Sequence, residues 1–253
     1  MKNDPYGPGG NPIESASSNE VEPVPWEIGE VVSLAWERFQ ANWALFVFIY
    51  LPMTACSLAL EQASELLVWL HVIRADSRVA LAVRVASVVA ALAFTSFFQV
   101  GFLRIALNAA RSRPVRLRML VSGGDRMLPM LWTTLFVQVA TLVGLLLFIV
   151  PGLVLNLGLG LAPYYVVDAG LGPVAAIKKS WAATHGQKLD LLVLLLTGVA
   201  LLFFGLLMFG IGIGAAGPVF VLAQTIVFTR ISGRNAALSK ESLAPPPGWP
   251  LVF

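Results

Sequence analysis

The sequence predicts an all-α fold, a polytopic transmembrane bundle of six spans with interfacial amphipathic helices. Three observations predict it. Of the 253 residues 57% are hydrophobic and only 12% charged, about half the charge of a soluble domain. The apolar residues gather in runs long enough to cross a hydrocarbon core of ~30 Å at ~1.5 Å per residue. Lys and Arg gather in alternate connections between those runs.

Residues 1–25 are acidic and rich in Pro, Gly, Ser and Asn, which reads as a disordered cytoplasmic tail. They lack the basic start and short apolar core of a cleavable signal peptide. The membrane domain is expected over 26–232, and a Pro-rich cytoplasmic tail over 233–253. Within 28–42 the apolar residues Ile28, Val31, Val32, Ala35, Trp36 and Phe39, continued by Trp43, fall on one helical face. Glu30, Glu37, Arg38 and Gln40 take the other. Such a helix lies in the cytoplasmic interface or packs on other cytoplasmic parts.

The first span is expected over 43–60, with Pro52 as a kink, and the second over about 79–107. Arg84 and Arg104 bound the charge-free centre of the second span, where long side chains reach headgroups. The third covers about 128–150. Pro151-Gly152 then forms a tight turn into a short, Gly-rich fourth span at 152–167. The stretch 189–231 has the length of two spans, with the turn expected in the Gly-rich segment from Gly210 to Pro218.

A second interfacial helix is expected over 173–185. It starts at Pro173, stops near Gly186 and presents Val174, Ile177 and Trp181. A shift of 145 residues lays Ala35-Trp36 on Ser180-Trp181, with a span following each at the same distance. A weaker third copy falls at 114–125. This suggests an internal repeat of interfacial helix plus helical hairpin.

With six spans, fourteen Lys and Arg fall on the side of both termini and three, Arg74, Arg78 and Arg84, on the other. This bias places both termini in the cytoplasm and the chain in the inner (plasma) membrane.

The segments Ala35-Trp36-Glu37-Arg38-Phe39, Gln99-Val-Gly-Phe-Leu-Arg104 and the run from Pro151-Gly152 through Leu161-Ala-Pro-Tyr-Tyr-Val-Val-Asp168 to Gly172-Pro173 and Lys179-Ser180-Trp181 carry a resemblance. They resemble bacterial six-helix membrane proteins related to the membrane domain of glycerophosphoryl diester phosphodiesterase, and the YciC-like membrane proteins. The resemblance covers roughly 26–232 and implies the fold rather than an activity. No carboxylate–histidine set is present to carry the phosphodiesterase reaction.

Two histidines and the single cysteine, Cys56, cannot build a His/Cys zinc site, and no cofactor is expected. Gly212-Ile-Gly-Ala-Ala-Gly217 matches a dinucleotide fingerprint but lacks the strand before it and the acidic residue after it. Gly210 and Gly214 allow close helix approach or belong to the turn. The neutral amides Gln99, Asn108, Gln138, Asn156 and Gln224 fall in or at the ends of the spans. Of these Gln99, Gln138, Asn156 and Gln224 are the candidates for a solute path or for interhelical hydrogen bonds, Asn156 foremost. Asp168 is expected to tie the turn before Pro173; a catalytic role would need a partner, and His185 is the one nearby in sequence. Glu61 and Glu65 lie one turn apart on the outer side, as a cation site or, more simply, as solvated carboxylates.

Arg111, Arg113, Arg116, Arg118, Lys178 and Lys179 are assigned to anionic lipid headgroups, not to nucleic acid. The expected partners are the bilayer and a membrane protein or second copy. The reading is a non-enzymatic structural or accessory envelope protein, with a small-solute transporter or channel as the alternative.

Overall fold

A computed structural model describes residues 26–70, 78–207 and 212–232. The two tails, Arg74 and Gly210 lie outside them. Among the described residues there are helices and no strand. The elements are α1 (Ile28–Ala41), α2 (Trp43–Trp69), α3 (Arg78–Ala110), a 3-10 segment (Leu117–Asp125), α4 (Met127–Leu147), α5 (Ile149–Leu159), α6 (Ala162–Asp168), α7 (Pro173–Ala183), α8 (Lys188–Leu207) and α9 (Ile213–Ile231).

Six helical stretches are long and apolar enough to cross a membrane: α2 over Trp43–Ala63, α3, α4, α5 with α6, α8, and α9 over Gly214–Ile231. The chain is a multi-pass integral membrane protein. In the most apolar window of each of the first five stretches fewer than half of the residues are buried, and Phe48, Leu58, Leu146, Leu196 and Phe204 are exposed. In water such a surface would be an aggregation site; in lipid it is the expected exterior. The sixth stretch is mostly buried. Helix α9 is the central post, packed by α1, α2, α3 and α8.

Several boundaries differ from the expectation, each for a local reason. Pro52 lies inside α2, within the first span as expected; the differences are elsewhere. The turn between the third and fourth spans is Phe148, extended at φ −162° and ψ 153°. Pro151 instead sits in the first turn of α5, where its missing N–H costs no helical bond. Gly152 is then free to press on Gly144 and Leu145 across the turn. The fourth span divides into α5 and α6 just before Pro163, which cannot donate to Leu159. Pro218 is no turn residue: it lies in the first two turns of α9. The expected third interfacial helix is a 3-10 segment, seated on α3 where Gly101 lies against the Leu120 backbone and Gly123 against Phe97 O.

Helices α1 and α7 are placed as expected, but their inward faces are not the expected ones. Helix α1 buries Val31, Leu34, Ala35, Arg38 and Phe39, while Trp36 and Trp43 are exposed. In α7, Ala176, Ser180 and then Thr184 are buried, and Val174 and Trp181 are exposed. The expected apolar face is therefore divided in both: one edge packs on the bundle and the Trp edge points outward. Residues 31 and 35 and residues 176 and 180 are alike fully buried. The spans that follow begin at Trp43 and Lys188, the same 145 residues apart.

Candidate functional site

The charged ends of the helices meet on one face. Arg230, at the end of α9, is 5% exposed and donates to both carboxylate oxygens of Glu30 on α1, at 3.0 and 2.7 Å. Arg111, beyond α3, pairs with Asp168 at the end of α6 at 2.6 Å. Arg104 on α3 donates to both oxygens of Asp125 at 2.9 and 2.7 Å and to Ser122 Oγ at 2.8 Å. Arg126, at the head of α4, donates to Gly170 O at 2.8 Å. Gly170 can stand there because its φ is +66°. The Trp26 indole N–H donates to the Gln187 side-chain oxygen beside α8 at 3.1 Å. These ties put both ends of the domain and alternate span ends on a common surface.

Sequence reasoning gave several of these residues other places. Arg38 and Glu30 were expected on the solvated face of α1, yet Arg38 is buried and Glu30 holds Arg230. Burial lowers the Arg38 pKa, with Glu37 acting the other way. Its Nε and Nη2 have no hydrogen-bond partner. Arg104 and Arg111 were expected at headgroups; both turn inward to carboxylates. Asp168 ties the face together through Arg111 rather than only its own turn, and His185 is exposed. Hydrogen bonding to Arg104 holds the Asp125 carboxyl below the usual carboxylate range. Arg113, Arg116, Arg118, Lys178 and Lys179 remain exposed on this face. Around them stand the exposed rings of Trp36, Trp43 and Trp181, the last under the Lys188 ammonium at 3.9 Å.

The four candidate amides separate into two groups. Asn156 on α5 and Gln224 on α9 line a cavity of about 40 Å³ with Leu157, Leu161, Leu191 and Leu194. The Tyr164 hydroxyl donates to the Gln224 side-chain oxygen at 3.2 Å. That volume suits a water molecule or two. Gln99 accepts from Thr134 Oγ1 at 3.4 Å, joining α3 to α4. Asn108, near the end of α3, contacts Met119 Sδ at 3.4 Å.

Gln138 belongs to a second, larger space of about 420 Å³. Helices α2 and α4 both pack on α3. Between them, Val88, Ala91, Leu92, Thr95 and Ser96 of α3 form the floor of a trough. Ser57 and Glu61 of α2 form one wall, and Thr134 and Gln138 of α4 the other. Each wall pair is spaced four residues apart, one helical turn. Ser57 Oγ lies 3.1 Å from Thr95 Oγ1 and 3.4 Å from a Glu61 oxygen. Ser96 Oγ is buried without a partner. Beyond Glu61, Glu65 pairs with Arg84 at 2.9 Å, so the two outer carboxylates have different surroundings. Sequence reasoning missed Ser57, Thr95, Ser96 and Thr134 because single hydroxyls are ordinary in spans. The signal available was the four-residue spacing of Ser57 with Glu61 and of Thr134 with Gln138.

Among the described residues no three His, Cys, Asp or Glu side chains are grouped to hold a metal ion. No family model, curated protein or solved structure matches this chain.

Proposed function

We propose that this chain is a non-enzymatic membrane protein of structural or accessory type that gathers anionic lipid headgroups on its basic, cytoplasmic face. The supporting observation is the arrangement of that face. Arg104, Arg111, Arg126 and Arg230 are consumed by carboxylates and a carbonyl, and Arg38 is buried. This leaves Arg113, Arg116, Arg118, Lys178 and Lys179 exposed on or beside short helices that also show Trp rings. Lys and Arg near an anionic leaflet contribute about 1 kcal/mol each, and Trp prefers the headgroup level. Nucleic acid would need to approach a surface that lies against the membrane.

The shared 145-residue offset of the buried positions and span starts supports an ancestral unit of interfacial helix plus hairpin, repeated at least twice. The same organisation supports kinship with the six-helix proteins related to the phosphodiesterase membrane domain. A membrane protein or second copy of the chain would be held through the same surface. Facilitated passage of a solute would need a connected polar path, and the two polar spaces share no lining residue.

The test is lipid retention. The full chain is extracted in mild detergent from vesicles of equal phosphatidylglycerol and phosphatidylcholine, and the retained lipid is quantified by native mass spectrometry. Phosphatidylglycerol is expected to be enriched, less so at high salt. Replacing the five exposed cations by Gln should bring retention to parity. Enrichment unchanged by those replacements would refute the reading.

A further inference from the structure

We propose that the trough between α2 and α4 is a binding site for an amphiphile with a primary ammonium head, on the face opposite the basic one. At ~1.5 Å per residue, Glu61 stands about 27 Å along α2 from Trp43, and Gln138 about 16 Å along α4 from Met127. The trough therefore runs from the middle of the membrane to its far boundary. Over that length it places four hydroxyls, an amide and a carboxylate at a depth where lipid tails satisfy none of them. Ser96 is 1% exposed, and its hydroxyl has no partner although it lines the space. Gln138 on the opposite wall is exposed, with no hydrogen bond to any described residue. Empty or filled with hydrocarbon, such a space carries a desolvation cost for the unpartnered Ser96 hydroxyl and Gln138 amide. A polar occupant removes it.

The charge pattern selects the occupant. Glu65 is neutralised by Arg84. Glu61, one turn deeper, has only the Ser57 hydroxyl for company among the described residues, so the mouth carries one net negative charge. A primary ammonium offers three donors, which match the Glu61 carboxylate, Ser57 and Thr95. Val88, Ala91 and Leu92 give the floor an apolar strip for a chain, and about 420 Å³ is within the range of small-molecule sites. A quaternary ammonium has no N–H to give, and an anionic head meets repulsion. The ammonium has two natural sources, an aminophospholipid of the bilayer or a free long-chain amine.

The experiment uses the full chain in detergent with phosphatidylethanolamine and phosphatidylcholine of identical acyl chains at equal concentration, read by native mass spectrometry. A parallel arm adds dodecylamine or dodecanol and follows the thermal unfolding midpoint. The expected result is a preference for phosphatidylethanolamine of about tenfold, the factor one charge-assisted hydrogen bond supplies, reduced to parity in Glu61→Gln. Glu61 is exposed, so this variant leaves the packing intact. Glu65→Gln should keep most of the preference. A midpoint raised by dodecylamine but not dodecanol, and only with Glu61 present, supports the site with a free amine as its occupant even where the two phospholipids are retained equally. Parity of the phospholipids together with no Glu61-dependent effect of dodecylamine overturns the proposal. So does a preference that survives Glu61→Gln.

Discussion

At the scale of residues, the basic face is held by charges that chose partners across the chain. Arg230 and Glu30 are two hundred residues apart and meet in a two-pronged pair. Glu30→Gln leaves a buried guanidinium half-satisfied and should cost about 2 kcal/mol, read as a lower unfolding midpoint in detergent. Joining it to Arg230→Met should recover much of that loss. Arg38 is the opposite case. Its guanidinium is buried with two nitrogens unpartnered, so Arg38→Met should raise stability by about 1 kcal/mol; a lowered midpoint would mean the charge is satisfied in the membrane. Asp125 gives a pH signature. Arg104 lowers its folded pKa, so its contribution is whole above the ordinary carboxylate value near ~4 and is lost as pH falls through the lower folded value. Asp125→Asn should flatten that acid limb of the midpoint-against-pH curve, and an unchanged limb would assign it elsewhere.

At the scale of elements, small residues set how closely helices approach. Gly217 of α9 lies against the Tyr50 ring of α2, where a Cβ would overlap it. Gly217→Ala should therefore cost about 1–3 kcal/mol as the ring is displaced. Gly29→Ala, with nothing near it, should instead stabilise α1 by about 0.5 kcal/mol. The pair of midpoints is the check. Helix α7 is seated through Ser180 Oγ, which donates to Gly158 O at 2.7 Å. The elements were legible in the sequence because hydropathy over twenty residues averages away local exceptions. The spans begin near the expected places, and both interfacial helices lie within two residues of theirs. What periodicity could not show was which edge of an amphipathic helix turns inward. In α1 the packed edge includes Arg38, whose charge argued for solvent. In α7 it is the small polar edge Ala176, Ser180 and Thr184. Pro151 misled because a proline serves equally to open a helix or to break one, and only the neighbouring chain decides; the division of the fourth span at Pro163 was not foreseen for the same reason.

At the scale of the whole molecule, the two sides of the bundle are built differently. One is a plate of short helices and paired charges. The other rises along α2 and α3, whose 27 and 33 residues make about 40 and 50 Å of helix, well beyond the ~30 Å of hydrocarbon. The charge bias was visible in sequence because it is a sum over connections. The trough was not, since its floor and walls come from three spans far apart in the chain. Between the two sides, the amide that sequence reasoning favoured most, Asn156, faces a cavity of only about 40 Å³ lined by leucines, Val227 and Gln224. The central claim is that this interior is packed and that the molecule works at its surfaces. Thiol labelling at Asn156 tests it most directly, using Asn156→Cys in a Cys56→Ser background that has no other cysteine. The account predicts protection from a membrane-impermeant thiol reagent in intact cells and in inverted membranes, with labelling only after denaturation. Labelling from either side in native membranes would contradict it and establish a solute path.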